Sequence, residues 1–378
     1  MAIVFRLVLI IPVTYWLGAS EDRFKGNEPS HIAAHIVRGE GFSSPYTERP
    51  IPTAQQPPLY PLFVAGIFKL FGVYSHLSLI LIMVANAIAG GFACLFIYRI
   101  GLKYFSPVVA LIAAWAWAVL PPVAVTDLAL SHYSFSTLLV LAWLAIIPNF
   151  PLRVSHWTLL GIAIGLALLL NPMLVLLIPA SFPWLWARKK YACILLVMMA
   201  ITVMPWHVRN FRVMGHVYPG LRDNLGLELY IGNHPGMNGV QDYLTGESAY
   251  KGHAVESEFM QTRQRDAIAY ITSDFAQFLL RSGKRLLFFW LLPWPMFYLA
   301  VISLAVLGIF SMPQDFAWFN LFMLVIYPVV FYVTQTSWPT SYRHPIEPLL
   351  LIAAAVSISR FMLGWKTKFV MRESEVTA

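Results

Sequence analysis

The chain has 378 residues, a formal net charge of +8, and a composition that is 58% hydrophobic and only 12% charged, with a mean hydropathy of +0.66. A soluble domain carries about 25% charged residues, so an ordinary water-soluble globule is excluded, and runs rich in Leu, Ala, Val and Ile without alternation exclude an outer-membrane barrel. The basic excess is read as loop charge that orients spans and meets lipid phosphate, not as a nucleic-acid surface.

The pattern predicts an all-α polytopic bundle. Hydropathy marks about ten spans, at 2–19, 75–100, 107–125, 132–147, 157–170, 173–186, 191–206, 295–312, 316–334 and 345–365. After the first run comes a polar loop, 18–61, reading GASEDRFKGNEPSHIAAHIVRGEGFSSPYTERPIPTAQQPPLYP. Ionisable groups beside bilayer segments are costly and usually have a use. Pro29 and Gly39 bound a short helix from Pro29 to Arg38. Glu28 sits at its N-terminus, where the helix dipole favours a carboxylate. His31, His35 and Arg38 recur on one face. With Glu28 they suit a divalent metal or a phosphate, and they equally suit an interfacial helix with a wet polar face. Residues 58–72, with the single charge Lys69, fit an interfacial helix or a short span.

Short turns then sort by charge. Arg99, Lys103, Arg153, Arg188, Lys189, Lys190 and the tail residues Lys366, Lys368 and Arg372 fall on one side, which the positive-inside rule makes cytoplasmic. Both termini are then inside, and 18–61, 207–290 and 337–345 are outside. Three parts follow: a membrane module 1–206 with its first outside loop, a large extracytoplasmic loop 207–294, and a second membrane module 295–378 with a short tail. Within the large loop, 275–293 is basic and amphipathic, with Arg281, Lys284 and Arg285. It reads as a membrane-surface helix or as the phosphate-attracting rim of a lipid-substrate site. Asn86 and Asn171-Pro172 read as packing or helix-end features. Cys94 and Cys193 both lie in apolar segments, so no disulfide framework is expected. There is no Walker loop, dinucleotide fingerprint or zinc-ligand spacing, which disfavours direct use of ATP or a nucleotide sugar.

Three stretches carry a resemblance. NEPSHIAAHIVRGEGFSSPY with PTAQQPPLYPLFVAGIFKLFG resembles the first outside loop of GT-C glycosyltransferases, in the branch of protein O-mannosyltransferases and the lipid A aminoarabinose transferase. MPWHVRNFRVMGHVYPGLRDNLGLELYIGNHPG, 204–236, resembles the opening of their large outside loop, and SYRHPIEPLL, 341–350, the turn before their last span. The resemblance implies a multi-pass enzyme of the cytoplasmic membrane with its active site on the outer side. It would move a hexose or pentose from a polyprenyl-phosphate donor to a lipid, glycan or protein acceptor by an inverting single displacement. The first apolar run has the shape of a signal peptide, but the family keeps it as a span. Many relatives carry an adjacent Asp-Glu pair before the first-loop helix. Here Glu21-Asp22 stands further upstream, so the resemblance implies Glu28 or Asp22 as the base, with Glu28 preferred. Arg343 and Arg209, at the outer ends of spans, are the expected holders of the phosphate, with Tyr342, His344 and Glu347 flanking Arg343. Lys284 and Arg285 would guide the lipid headgroup. Asn224, Glu228 and Asn233 are expected to fold the large loop, with Glu228 also able to touch sugar. The second outside turn has His132 where relatives often have an acid, with Asp127 nearest, so a need for Mg²⁺ or Mn²⁺ is left open. A transporter or flippase of a lipid-linked sugar, and an inactive relative, are the rival readings. The clustering of charge in outside loops, away from span centres, favours the enzyme.

Overall fold

The computed structural model describes residues 1–16, 24, 26–46, 49–215, 220–237 and 256–376. In chain order these form α1 (Ala2–Trp16), α2 (Glu28–Val37), α3 (Leu59–Phe71), α4 (His76–Tyr104), α5 (Pro107–Val119), α6 (Pro121–Thr126), α7 (Tyr133–Ile146) and α8 (Val154–Leu170). Then follow α9 (Leu177–Ala180), α10 (Phe182–Trp186), α11 (Lys189–Met214), α12 (Leu225–Gly232), α13 (Glu256–Ser273) and α14 (Phe275–Leu291). The chain continues through α15 (Pro295–Ile309), α16 (Gln314–Ile326), α17 (Val329–Val333), α18 (Pro339–Arg343) and α19 (Glu347–Val376). No strand occurs among the described residues, beyond one isolated bridge between Ser43 and Pro52.

Caps set the helix starts. Asn27 accepts from the Ser30 N–H at 3.1 Å to open α2, Ser75 and Ser106 do the same for α4 and α5, and Asp274 caps α14. Gly215, with φ of 76°, closes α11 in the left-handed conformation that glycine adopts freely.

The main core gathers α4, α5, α7, α8, α15, α16 and α19 around Trp117, Trp157, Tyr298 and Tyr327. Small residues let these helices approach closely. Gly161 and Gly165 of α8 lie against Leu195 and Thr202 of α11, and Gly308 of α15 lies against Ala353 of α19. Such contacts hold helices together where the surrounding lipid is as apolar as the side chains. A second cluster joins α2 and α3 to α1 and α4 through Ile10, Phe24, Ala33, Phe68 and Ile82. The first-loop helices are therefore seated on the bundle.

Among the described residues, three helical stretches are long and apolar enough to cross a membrane: His76–Tyr104, Lys189–Met214 and Gln314–Val333. A bent pair, Phe275–Leu291 with Pro295–Ile309 at 87°, makes a fourth if taken as one broken span. This is fewer than the ten spans expected. Most of the other expected segments are helical but short or interrupted: Pro121 separates α5 from α6, and Pro172, Pro179 and Pro183 divide the stretch before α11 into short turns; the last, 345–365, falls within the continuous 30-residue α19. In α1, Ile3 lies over Gly91 and Ile10 packs with Ile82 and Met83.

Candidate active site

The site is built from the start of α2 outward. Asn27 caps the helix through its Oδ1 and donates its Nδ2 to the Leu130 carbonyl at 2.8 Å, tying α2 to the turn before α7. Glu28 is the first residue of the helix and is half-buried. The Tyr46 hydroxyl donates to its Oε1 at 2.7 Å, and Gln56 Nε2 donates to its Oε2. Gln55 Nε2 donates in turn to the Tyr46 hydroxyl oxygen. Both oxygens of Glu28 are thus oriented by neutral donors. Burial, and then the negative charge of Glu28, push the Tyr46 phenol well above its ordinary range, so Tyr46 remains a donor.

A second carboxylate faces this cradle. Glu228 of α12 accepts from Asn224 Nδ2 at 3.1 Å and from Gln335 Nε2 at 2.9 Å. Gln335 also donates to the Tyr342 hydroxyl at 2.7 Å, and the Tyr342 ring stacks on Phe331 with centroids 4.5 Å apart. Burial pushes the Glu228 carboxyl above its usual range; the Arg222 charge opposes this and the Glu28 charge adds to it. Arg222 therefore lies within electrostatic reach of this wall. Its Nε donates to the Gln55 carbonyl at 2.8 Å, and its terminal nitrogens have no hydrogen-bond partner among the described residues. Burial, followed by the Arg222 charge, pushes His132 down to about 3, so its imidazole is neutral. It pairs with Ser136 Oγ at 3.0 Å.

The other expected residues fall elsewhere. Arg343 is fully buried: Nε donates to Glu347 at 2.6 Å, Nη1 to the Phe289 and Trp290 carbonyls, and Nη2 to the Leu292 carbonyl at 3.1 Å. Arg209 donates to the Thr53 carbonyl at 2.5 Å and the Phe42 carbonyl at 3.0 Å, between the rings of Trp206 and Phe42. Both guanidinium groups are occupied with main chain, and Arg209 holds in place the loop that carries Gln55 and Gln56. Arg285 is likewise buried against the Tyr332, Val333 and Gly232 carbonyls, whereas Lys284 is exposed. His31 meets the Tyr74 hydroxyl at 3.4 Å, and His35 pairs with Glu40 at 2.5 Å; neither contact belongs to the Glu28 cradle. Asp127 bridges Arg6 at 2.6 Å and His344 at 3.2 Å with its side chain fully buried. Asp22 lies outside the described residues. No group of three or more His, Cys, Asp or Glu that could hold a metal occurs among the described residues.

Sequence reasoning missed Arg222, Tyr46, Gln55 and Gln56. All four lie inside or beside the stretches that carried the resemblance, but no spacing rule marks an arginine of a large loop as facing a glutamate about two hundred residues away.

Residues 55–208 match the family model of dolichyl-phosphate-mannose-protein mannosyltransferase. Among solved structures, ArnT from Cupriavidus metallidurans bound to undecaprenyl phosphate is similar with a TM-score of 0.54 and 15% identity, over 94% of this chain and 60% of that one. The Archaeoglobus fulgidus oligosaccharyltransferase, in complex with Zn and sulfate, is similar with a TM-score of 0.55 and 14% identity, over 99% of this chain and 51% of that one. The chain thus spans about three fifths and half of those two structures. No curated protein matches by sequence. The family model thus covers the first outside loop and the helices up to Val208, and the two solved structures share the fold of this chain.

Proposed function

We propose that this protein is a GT-C glycosyltransferase that takes a sugar from a polyprenyl-phosphate donor and delivers it to an acceptor hydroxyl on the extracytoplasmic side of the cytoplasmic membrane. Glu28 is the general base. Its carboxylate takes the proton of the acceptor hydroxyl as that oxygen bonds to the anomeric carbon. The bond from the anomeric carbon to the donor phosphate breaks on the opposite face, so the configuration inverts and polyprenyl phosphate leaves with the electron pair. Arg222 stabilises the charge that grows on the leaving phosphate, a role suited to a two-pronged guanidinium. Glu228, Gln335 and Tyr342 hold sugar hydroxyls. Arg343 and Arg209 act at one remove, by fixing the walls.

The observation that carries this reading is the hydrogen-bonded chain that links Glu28 through Tyr46 and Gln55 to Arg222. An oriented carboxylate, Glu28, is thereby tied to an arginine whose terminal nitrogens are uncommitted among the described residues. The undecaprenyl phosphate bound by the similar ArnT structure supports the lipid-phosphate class of donor. The test is release of free polyprenyl phosphate by the purified chain, offered a panel of polyprenyl-phosphate sugars with membrane extract as acceptor, with and without Mg²⁺ or Mn²⁺. Release from at least one donor is expected. Transbilayer movement of an intact donor without release would favour a flippase.

A further inference from the structure

Helix α14 carries a charge that the cavity does not use. Its buried stripe is Arg281, Arg285 and Phe289, spaced four apart and turned toward the protein. Phe289 enters the core, and Arg285 donates to the ends of α12 and α17. Arg281 is only 7% exposed, and its guanidinium lies 4.8 Å from the centre of the Tyr270 ring. Its Nε and Nη2 are buried and have no hydrogen-bond partner among the described residues. The acids nearest in sequence are engaged elsewhere: Asp266 pairs with Arg263, and Asp274 caps α14 itself. The neighbour one turn on is a second cation, Arg285.

A buried charge costs free energy unless it is paired, and a like charge beside it adds to that cost. Tyr270 offers the face of a ring but no acceptor for the two orphaned N–H groups. The missing partner is an anion with at least two acceptor oxygens. The opposite face of α14 shows where it comes from. Leu279, Leu280 and Leu287 are 55%, 60% and 54% exposed, in a helix that also carries exposed Lys284. A basic helix with such a face lies along the boundary between acyl chains and headgroups. Lys284 stands three residues from Arg281, within reach on the helix surface.

We propose that Arg281, with Lys284 beside it and Arg285 behind it, binds the phosphate headgroup of a membrane lipid, at a site distinct from the Glu28 cavity. The guanidinium fork meets two phosphate oxygens, Tyr270 floors the fork, and the acyl chains lie along the leucine face. The occupant is a phosphate-bearing lipid of the bilayer.

The test uses the delipidated full chain in detergent, with dioleoyl phosphatidic acid added against a phosphatidylcholine background and bound lipid counted by native mass spectrometry. The wild type is expected to retain phosphatidic acid over phosphatidylcholine. Arg281→Lys should keep the adduct and Arg281→Gln should lose about tenfold in occupancy, the loss expected for one charged hydrogen-bonded contact. The adduct should persist in Glu28→Gln, which separates this site from the cavity. Equal retention of the two lipids by the wild type overturns the proposal without reference to any variant. Loss of the adduct in Glu28→Gln would move it to the cavity. Displacement of the lipid by millimolar inorganic phosphate would make the ligand a free ion instead of a headgroup. None of these readings needs turnover, so a failure here is distinct from a failure of the transferase assignment.

Discussion

The Tyr46 hydroxyl donates to Glu28 Oε1 at 2.7 Å, while Gln55 donates to the same hydroxyl from behind. The carboxylate is thereby aimed by a phenol that is itself aimed. Removing the hydroxyl leaves Glu28 free to turn within a half-buried site. Tyr46→Phe is expected to lower kcat by about 10- to 100-fold, the range for a hydrogen bond to a charged group, with the donor KM little changed. Steady-state kinetics in nanodiscs checks this; a change in KM alone would place Tyr46 in donor binding.

Three arginines separate by what they touch. Among the described residues Arg222 donates only through Nε, to the Gln55 carbonyl, whereas Arg343 and Arg209 are occupied with carbonyls. Arg222→Gln should cost about 100-fold or more in kcat/KM while leaving the melting temperature near that of the wild type. Arg343→Gln strands buried carbonyls and Glu347, and should instead reduce folded yield. Paired activity and thermal-melting measurements on the two variants check the division.

The sequence made the membrane class and the helical content legible, because long apolar runs are local signals. The helix bounded by Pro29 and Gly39 lies where it was read, since its Asn27 cap and Pro29 act within four residues of its start. Span number was less legible: hydropathy does not register that Pro121 or Pro179 divides an apolar run. Glu28 was readable as a carboxylate at a helix start, but its partners were not. Gln56 and Glu228 reach the site through the packing of two loops, and arginines at span ends look alike until it is seen which carbonyls lie beside them. Glu228 was read mainly as a loop-folding residue, and its bond from Asn224 fits that role as well as it fits the cavity wall.

A pH dependence of stability follows from Glu256, at the start of α13. Its side chain is fully buried and its Oε1 accepts from the Ala54 N–H at 2.7 Å. Burial, offset in part by that bond, raises its carboxyl to about 8. Between an ordinary carboxyl value of about 4.3 and that value, the folded chain holds a proton that the unfolded chain has released. The stabilisation is therefore complete below the lower value and is lost as pH rises through the upper one, at up to about 1.4 kcal/mol per pH unit. Melting temperature should fall over this interval in the wild type and fall less steeply in Glu256→Gln. Equal slopes would show that Glu256 is not the group responsible.

Gly232 ends α12 where the Thr334 carbonyl passes close by, and its own carbonyl accepts from Arg285. A methyl group there would meet the Thr334 oxygen. Gly232→Ala is expected to destabilise the fold by about 1–3 kcal/mol and to displace Glu228 one turn earlier. Thermal melting, with donor affinity measured on the folded fraction, checks both parts.

The most direct test of the account is polyprenyl-phosphate release by Glu28→Gln, run beside Asp22→Asn and the wild type with donor binding measured separately. Glutamine keeps the size of the side chain and one of its two accepting oxygens but cannot take the acceptor proton. The account predicts that Glu28→Gln binds donor at near wild-type affinity and releases less polyprenyl phosphate by about 100-fold or more, while Asp22→Asn turns over normally. Release at the wild-type rate from Glu28→Gln, or its loss in Asp22→Asn alone, would contradict Glu28 as the base.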